Sequence, residues 1–289
     1  RGMTAPASTS LDFASLSLTP AALANLKLLG YEQMTPIQAA SLPIALLGKD
    51  LIAQAKTGSG KTAAFALALL SNLNARRFAV QSLVLCPTRE LADQVTQEIR
   101  RLARAEENIK VVTLCGGVAM RGQIASLEHG AHVVVGTPGR IMDHLQRGNL
   151  KLDALNTLVL DEADRMLDMG FFDDIAVVAR QCPAERHTLL FSATYPEGIA
   201  KNSHQFMRQP PTVTVAAQHD SHQSPTRVHQ VAARARSTPP SKAALLLLKM
   251  GVLPERPWQR QQRQQKQHQQ PDQAYGFIGF GEGTFTKPY

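Results

Sequence analysis

The chain has 289 residues, of which 44% are hydrophobic, and carries 31 Lys+Arg against 23 Asp+Glu. That length suits one large or two modest domains, and that apolar share fills a sizeable core. No apolar run reaches membrane-span length, residues 1–10 hold no hydrophobic signal core, and the odd-numbered cysteines Cys86, Cys115 and Cys182 lack metal spacing, so the composition argues against a membrane-spanning, secreted or disulfide-stapled protein.

The cysteines read as free buried thiols in a reducing compartment, and the expectation is a cytoplasmic protein with no stable oligomer implied. The net charge of +8 is uneven. Residues 1–220 hold 21 Lys+Arg and 20 Asp+Glu, whereas residues 221–289 hold 10 and 3. The basic character therefore belongs to the tail and says little about what the folded part binds.

Thr19 to Leu29 carries apolar residues at helical spacing, with Thr19 as cap and Pro20 in the first turn, and Gly30 ends it. Thr35-Pro36 opens a second helix. The apolar run Leu51-Ile52-Ala53 then leads into Ala55-Lys56-Thr57-Gly58-Ser59-Gly60-Lys61-Thr62, and an alanine-rich helical pattern follows from Ala63. Strand, glycine turn, helix is the context that a phosphate-binding loop requires. The turn's amides and the next helix N-terminus favour an anion, Lys61 adds a positive charge for the outer phosphates, and the Thr62 hydroxyl suits Mg²⁺. Ala55 stands where the general pattern has glycine.

Short apolar runs recur at Leu83–Cys86, Val111–Cys115, His132–Val135, Leu158–Leu160 and Thr188–Phe191. Such runs suit strands buried on both faces. Helical patterns at Glu90–Ala103, Ala119–His129, Arg140–Arg147 and Glu197–Met207 separate them. Alternating strands and helices predict an α/β domain with a parallel central sheet covered on both sides. The notable short sequences all follow strands, so they are expected to gather on one sheet edge. After His219 the chain turns to low complexity: Ser/Thr/Pro at 237–241, eight Gln in the twelve residues 259–270, and Gly/Phe at 276–283. Residues 221–289 are expected to be largely disordered, apart from a helix near Lys242–Met250.

Asp161-Glu162-Ala163-Asp164 follows the run at Thr157–Leu160. Beside a phosphate loop, Asp161 suits the metal, and Glu162 suits orienting or deprotonating the attacking water.

At this point the chain resembles the DEAD-box family of ATP-dependent RNA helicases. Gly30 to Gln38 looks like the family's adenine-reading motif, with Phe13 as its isolated upstream aromatic. Ala55 to Thr62 matches the family's form of the phosphate loop. Pro87-Thr88-Arg89-Glu90-Leu91, Gly116-Gly117 and Thr137-Pro138-Gly139-Arg140 match its RNA-contacting motifs. Asp161 to Asp164 gives the family its name, and Ser192-Ala193-Thr194 matches the motif that couples ATP state to RNA binding. Within the family, Leu83–Val95, Leu155–Phe171 and Thr188–Thr194 look most like the bacterial DbpA branch, which acts on ribosomal RNA.

The resemblance implies a RecA-like P-loop domain over residues 11–217, a disordered N-terminus over 1–10 and a degenerate tail over 218–289. It implies ATP and Mg²⁺ as cofactors and structured, ribosomal RNA as partner, hence a part in ribosome biogenesis. The Gln38 amide can pair with adenine N6 and N7 at once, and Phe13 or Tyr31 can offer the base an apolar face. Thr88, Gly117, Thr137 and Arg140 are donors of the kind that hold phosphates. For Arg89 an ion pair with the Glu90 neighbourhood or Asp164 competes with that role, and for Ser192 and Thr194 strand-end capping does. No His-Arg-x-Gly-Arg stretch follows residue 220, so the expectation is the N-terminal half of such an enzyme, a truncation or reading-frame loss, slow in hydrolysis and unable to separate strands alone. A non-enzymatic RNA-binding or decoy module using the basic tail, and a P-loop ATPase acting on DNA, are the alternatives.

Overall fold

A computed structural model describes residues 11–208 and 210–215. The disorder expected for residues 1–10 and for the tail, and the helix expected at Lys242–Met250, lie outside the described residues. In chain order the elements are α1 (Pro20–Leu28), α2 (Pro36–Ala45), β1 (Leu51–Gln54), α3 (Lys61–Ser71), β2 (Ser82–Leu85), α4 (Arg89–Leu102), β3 (Val111–Leu114), α5 (Met120–Glu128), β4 (Val133–Gly136), α6 (Pro138–Gln146), β5 (Thr157–Leu160), α7 (Ala163–Asp168), α8 (Phe172–Arg180), β6 (His187–Ser192), α9 (Glu197–Asn202) and β7 (Thr212–Thr214).

The helix starts follow from local chemistry. The Thr19 hydroxyl accepts from Ala22 N at 3.1 Å and caps α1. At α2, Thr35 and Gln38 form a reciprocal capping box, each side chain bonded to the other's backbone N–H. The Thr88 hydroxyl accepts from Leu91 N and caps α4.

The strands form one parallel sheet in the order β3-β4-β2-β5-β6-β1-β7. Side chains alternate across it. Leu51, Ala53, Val84, Val133, Val135, Val159, Leu189 and Phe191 pack on one face against Leu26 of α1, Ile37 of α2, Phe65 of α3 and Ile99 of α4. Ile52, Leu83, Leu85, Val134, Leu158, Leu160 and Leu190 pack on the other against Ile141 of α6, Met166 of α7, Ile175 of α8 and Ile199 of α9. Register keeps the faces consistent: Leu51 lies opposite Leu189, and Ala53 opposite Phe191. Both faces are covered, which is why the strands read as unbroken apolar runs. The three cysteines are free and buried, as expected.

Three elements have no counterpart in the sequence reading. The helix α7 has six residues, too short to show a period, and α8 starts without a side-chain cap. The strand β7 has three residues and pairs only with β1. The helix expected over Glu197–Met207 stops at Asn202 and tightens into a 3₁₀ turn at Ser203–Gln205. There Asn202 Nδ2 donates to Gly198 O, and the Ser203 hydroxyl donates to Ala200 O, so side chains compete for the helix's own carbonyls.

Candidate functional site

Six of the sequences singled out above lie at the carboxyl ends of strands in this parallel sheet: 55–62 after β1, 87–91 after β2, 116–117 after β3, 137–140 after β4, 161–164 after β5 and 192–194 at the end of β6; Phe13 and Gly30–Gln38 precede β1 and follow no strand. Strand order puts the phosphate loop, Ser192-Ala193-Thr194 and the acidic turn on neighbours β1, β6 and β5. The other three stretches follow β2, β4 and β3 along the same edge. One edge therefore has a phosphate half and a second half built from β2, β4 and β3.

In the phosphate half, Lys56, Thr57 and Gly58 are exposed and Ala55 is buried. Gly60 has φ +90° and opens α3 without a side-chain cap. A β-carbon at Gly60 would stand 2.6 Å from Gln38 Nε2 and 2.9 Å from Thr35 Oγ1, so glycine is required there twice over. Buried Ser59 Oγ has no hydrogen-bond partner, and the first turn of α3 has no side-chain cap from Gly60. An orphan hydroxyl, an uncapped helix start and Lys61 together fit a bound phosphate chain. Lys61 is itself buried, with Nζ donating to Ala55 O at 2.8 Å, and Thr62 is half-buried in the first turn of α3.

Gln38 is not a surface residue. It is buried, its Oε1 accepts from Thr35 N at 2.9 Å, and its Nε2 donates to Gly60 O at 3.1 Å. The side chain expected to read adenine thus ties α2 to the phosphate loop, with one lone pair and one N–H left over. Phe13, one of the two expected base platforms, is core: it is buried and meets Tyr31 edge-on, with centroids 6.2 Å apart. Tyr31 keeps partial exposure and donates its hydroxyl to Glu98 of α4. Burial, then the Glu98 carboxylate, raise the Tyr31 hydroxyl above its ordinary range.

Asp161 is buried at the end of β5, and burial raises its carboxyl to about 7, although the charge of Lys61 pulls it down. Strand order agrees: Asp161 follows β5 and Lys61 follows β1, the two neighbours of β6. Glu162 sits in the left-handed region, φ 51° and ψ 50°, a conformation that costs a non-glycine residue about 1 kcal/mol or more. Its Oε2 meets Arg165 Nη1 at 3.3 Å. Asp164 turns toward β6. Its Oδ2 accepts from Thr194 N at 2.9 Å and from the Thr194 hydroxyl at 2.8 Å, and its backbone N donates to Ser192 Oγ at 3.0 Å. Burial works against that carboxylate, but the bonds from Thr194 and Ser192 outweigh it and hold its pKa below the ordinary value. Ser192 and Thr194 therefore bind the acidic turn rather than cap their own strand.

In the other half, buried Pro87 leads to Thr88, whose hydroxyl oxygen accepts at the start of α4. Arg89 pairs with Asp93 at 3.8 Å, both exposed, so the ion pair falls in the Glu90 neighbourhood, one turn along α4, and not at Asp164. Gly116, Gly117 and Gly139 are exposed, and Gly117 has φ +75° with Arg89 Nη1 beside it. Thr137 is half-buried at the start of α6. Arg140 is turned inward: Nη1 donates to Val118 O at 2.9 Å and to Gln123 Oε1 at 3.0 Å. No sequence signal marks Gln123, a single glutamine on a short helix.

Fold and loop together define a P-loop nucleotide-binding domain of the parallel α/β kind. The profile of the DEAD/DEAH box helicases matches residues 35–202, more than half of the chain. The chain belongs to the DEAD/DEAH box helicase family. The Escherichia coli (strain K12) ATP-dependent RNA helicase DbpA is 61% identical over 198 residues, which cover 68% of this chain and 43% of that protein. A DEAD-box ATP-dependent RNA helicase CshA from Geobacillus kaustophilus (strain HTA426) is 46% identical over 205 residues, covering 71% of this chain and 44% of that one. Among solved structures, a DEAD box protein from Methanococcus jannaschii aligns with TM-score 0.67 at 40% identity, over 70% of this chain and 55% of that one. The chain thus spans less than half the length of these curated relatives.

Proposed function

We propose that this chain carries the ATP-binding part of an ATP-dependent RNA helicase, in which RNA-stimulated ATP hydrolysis is coupled to local opening of an RNA duplex. The observation that carries this reading is the triple contact of Asp164 with Ser192 and Thr194, which joins the acidic turn to its neighbouring strand beside the phosphate loop.

The roles follow from position. Amides of residues 56–62 and the Ser59 hydroxyl cradle phosphates, and Lys61 exchanges its bond to Ala55 O for an outer phosphate. Mg²⁺, when bound, supplies Lewis-acid charge at the phosphates, and Thr62 and Asp161 are the residues that would hold it. Among the described residues no group of three or more His, Cys, Asp or Glu could bind a metal by itself. Magnesium in phosphate sites needs only one or two carboxylates beside the phosphates. Glu162 orients the attacking water and accepts its proton. Gln38 and Tyr31 border the base. The Pro87–Leu91, Gly116-Gly117 and Thr137–Arg140 stretches face the RNA backbone, which implies little sequence preference. The finer reading is a structured ribosomal RNA as substrate and a role in ribosome biogenesis in the cytoplasm.

Titration with a fluorescent ATP analogue and an ATPase assay with and without RNA test this. The chain is expected to bind the nucleotide and hydrolyse ATP with Mg²⁺, and Glu162→Gln is expected to abolish turnover while keeping binding. A chain that binds no adenine nucleotide, or turnover that survives Glu162→Gln, overturns the reading. Competition between RNA and DNA of equal sequence at one salt concentration separates an RNA enzyme from a DNA one.

A further inference from the structure

We infer that Gln123 is a positioning residue for RNA: it fastens Arg140 and the exposed Gly116-Gly117 turn into one rigid unit. The inference rests on the proposed RNA-binding role of that turn.

Two adjacent glycines give a turn wide conformational freedom, and ordering it on binding costs affinity. This turn is held at both ends. On one side Gln123 Nε2 donates to Cys115 O at 2.9 Å. On the other, Arg140 Nη1 donates to Val118 O at 2.9 Å. Gln123 Oε1 then accepts from that same Arg140 Nη1 at 3.0 Å, which closes the clamp. Gly116 and Gly117 lie between the two held carbonyls and are exposed.

The amide's orientation is determined by its surroundings. Gln123 is 6% exposed, and its oxygen also meets His144 Nε2 at 2.8 Å. His144 is fully buried, and Asn149 Nδ2 lies 3.4 Å from its other ring nitrogen. Arg140 can only donate and Cys115 O can only accept, which fixes the amide, so Nε2 of His144 carries the hydrogen toward the Gln123 oxygen. A half-turn of the Gln123 amide would set its NH₂ against Arg140 and its oxygen against Cys115 O, losing both of those bonds whichever tautomer His144 adopts. Arg140 is itself held along the turn, with a side chain only 14% exposed and Asp143 at 3.8 Å. Backbone N–H groups of an exposed turn are the kind of donor that contacts phosphates, and Gly116 and Gly117 are exposed.

The test uses the whole chain and the variants Gln123→Met, which removes the amide at similar volume, and Gln123→Glu, which keeps both acceptor contacts and loses the donor to Cys115 O. Three quantities are read: affinity for a labelled single-stranded oligouridine with a non-hydrolysable ATP analogue, affinity for the analogue alone, and hydrogen exchange of residues 115–118. Gln123→Met is expected to speed that exchange and weaken RNA binding about tenfold, with analogue affinity changed less than about twofold, and Gln123→Glu to lie between. Should Gln123→Met not fold, Gln123→Glu carries the comparison. Unchanged exchange overturns the clamp. Faster exchange with unchanged RNA affinity reduces Gln123 to a structural residue and overturns the positioning role. If the unaltered chain binds no RNA, the RNA reading itself fails, while the exchange data still judge the clamp.

Discussion

At the scale of single residues, the most telling group is Asp161. A carboxyl raised to about 7 by burial is costly to ionise, and a fold chosen for stability alone would not place it there. An unfolded aspartate titrates near ~3.9, so the folded state holds its proton more tightly between about pH 4 and about pH 7. Over that window this group makes stability fall as pH rises. His144 and His187 act in the opposite sense: burial lowers both, so the stability they contribute is present above their unfolded value and is lost as pH falls. The difference between the unaltered chain and Asp161→Asn isolates the carboxyl. In metal-free protein, urea denaturation should show the Asn variant more stable at pH 8 by up to ~4 kcal/mol, with the gap closing toward pH 4. A gap independent of pH would show that Asp161 titrates normally. Glu162, at φ 51°, makes the same point through its backbone. Neither property is legible in the letters Asp-Glu, because burial and dihedral angle come from what surrounds them.

At the scale of elements, sequence patterns carried most of the helices and strands. Of Leu91, Val95, Ile99 and Leu102, spaced for one helix face, the last three are buried in α4 and Leu91 is half-buried, and the cap of α4 is Thr88 of the motif. The motif threonines and prolines thus serve two ends, starting a helix and placing donors at a strand end. Short elements escaped because six residues of α7 or three of β7 show no period. Gly136 shows how closely the strand ends pack. A β-carbon there would lie 2.4 Å from Leu114 O, where β4 meets β3, and backbone cannot step aside cheaply. Gly136→Ala is expected to destabilise the chain by roughly 1–3 kcal/mol and to loosen the Gly116-Gly117 turn that β3 leads into. Thermal unfolding and hydrogen exchange of residues 115–118 check both parts. A fully stable variant would mean that β3 and β4 shift apart freely.

For the molecule as a whole, the organising fact is that six short sequences, up to 140 positions apart, meet on one sheet edge. Parallel strands point their carboxyl ends the same way, so every loop that follows a strand opens on that side. Asp164, Ser192 and Thr194 then connect two of those loops directly. Thr194→Ala removes one bond of that connection. It is expected to reduce RNA stimulation of ATP turnover several-fold while the affinity for each ligand alone changes less than about threefold, a loss of coupling of ~1 kcal/mol. Separate titrations of nucleotide and RNA, set beside the stimulated rate, check this. Equal loss in all three would mean that Thr194 is merely structural.

The sequence by itself settled the alternation of strands and helices, the phosphate loop and the family, because these rest on local spacing, turn chemistry and continuous apolar runs. The tertiary structure alone decided which side chains are already engaged. Gln38 is bonded to the phosphate loop, Phe13 is packed in the core, Arg89 is paired with Asp93, and Arg140 is held by Val118 and Gln123. The physical reason is that a polar side chain satisfies itself with whichever partner folding brings within about 3 Å, and that partner is usually distant in the chain.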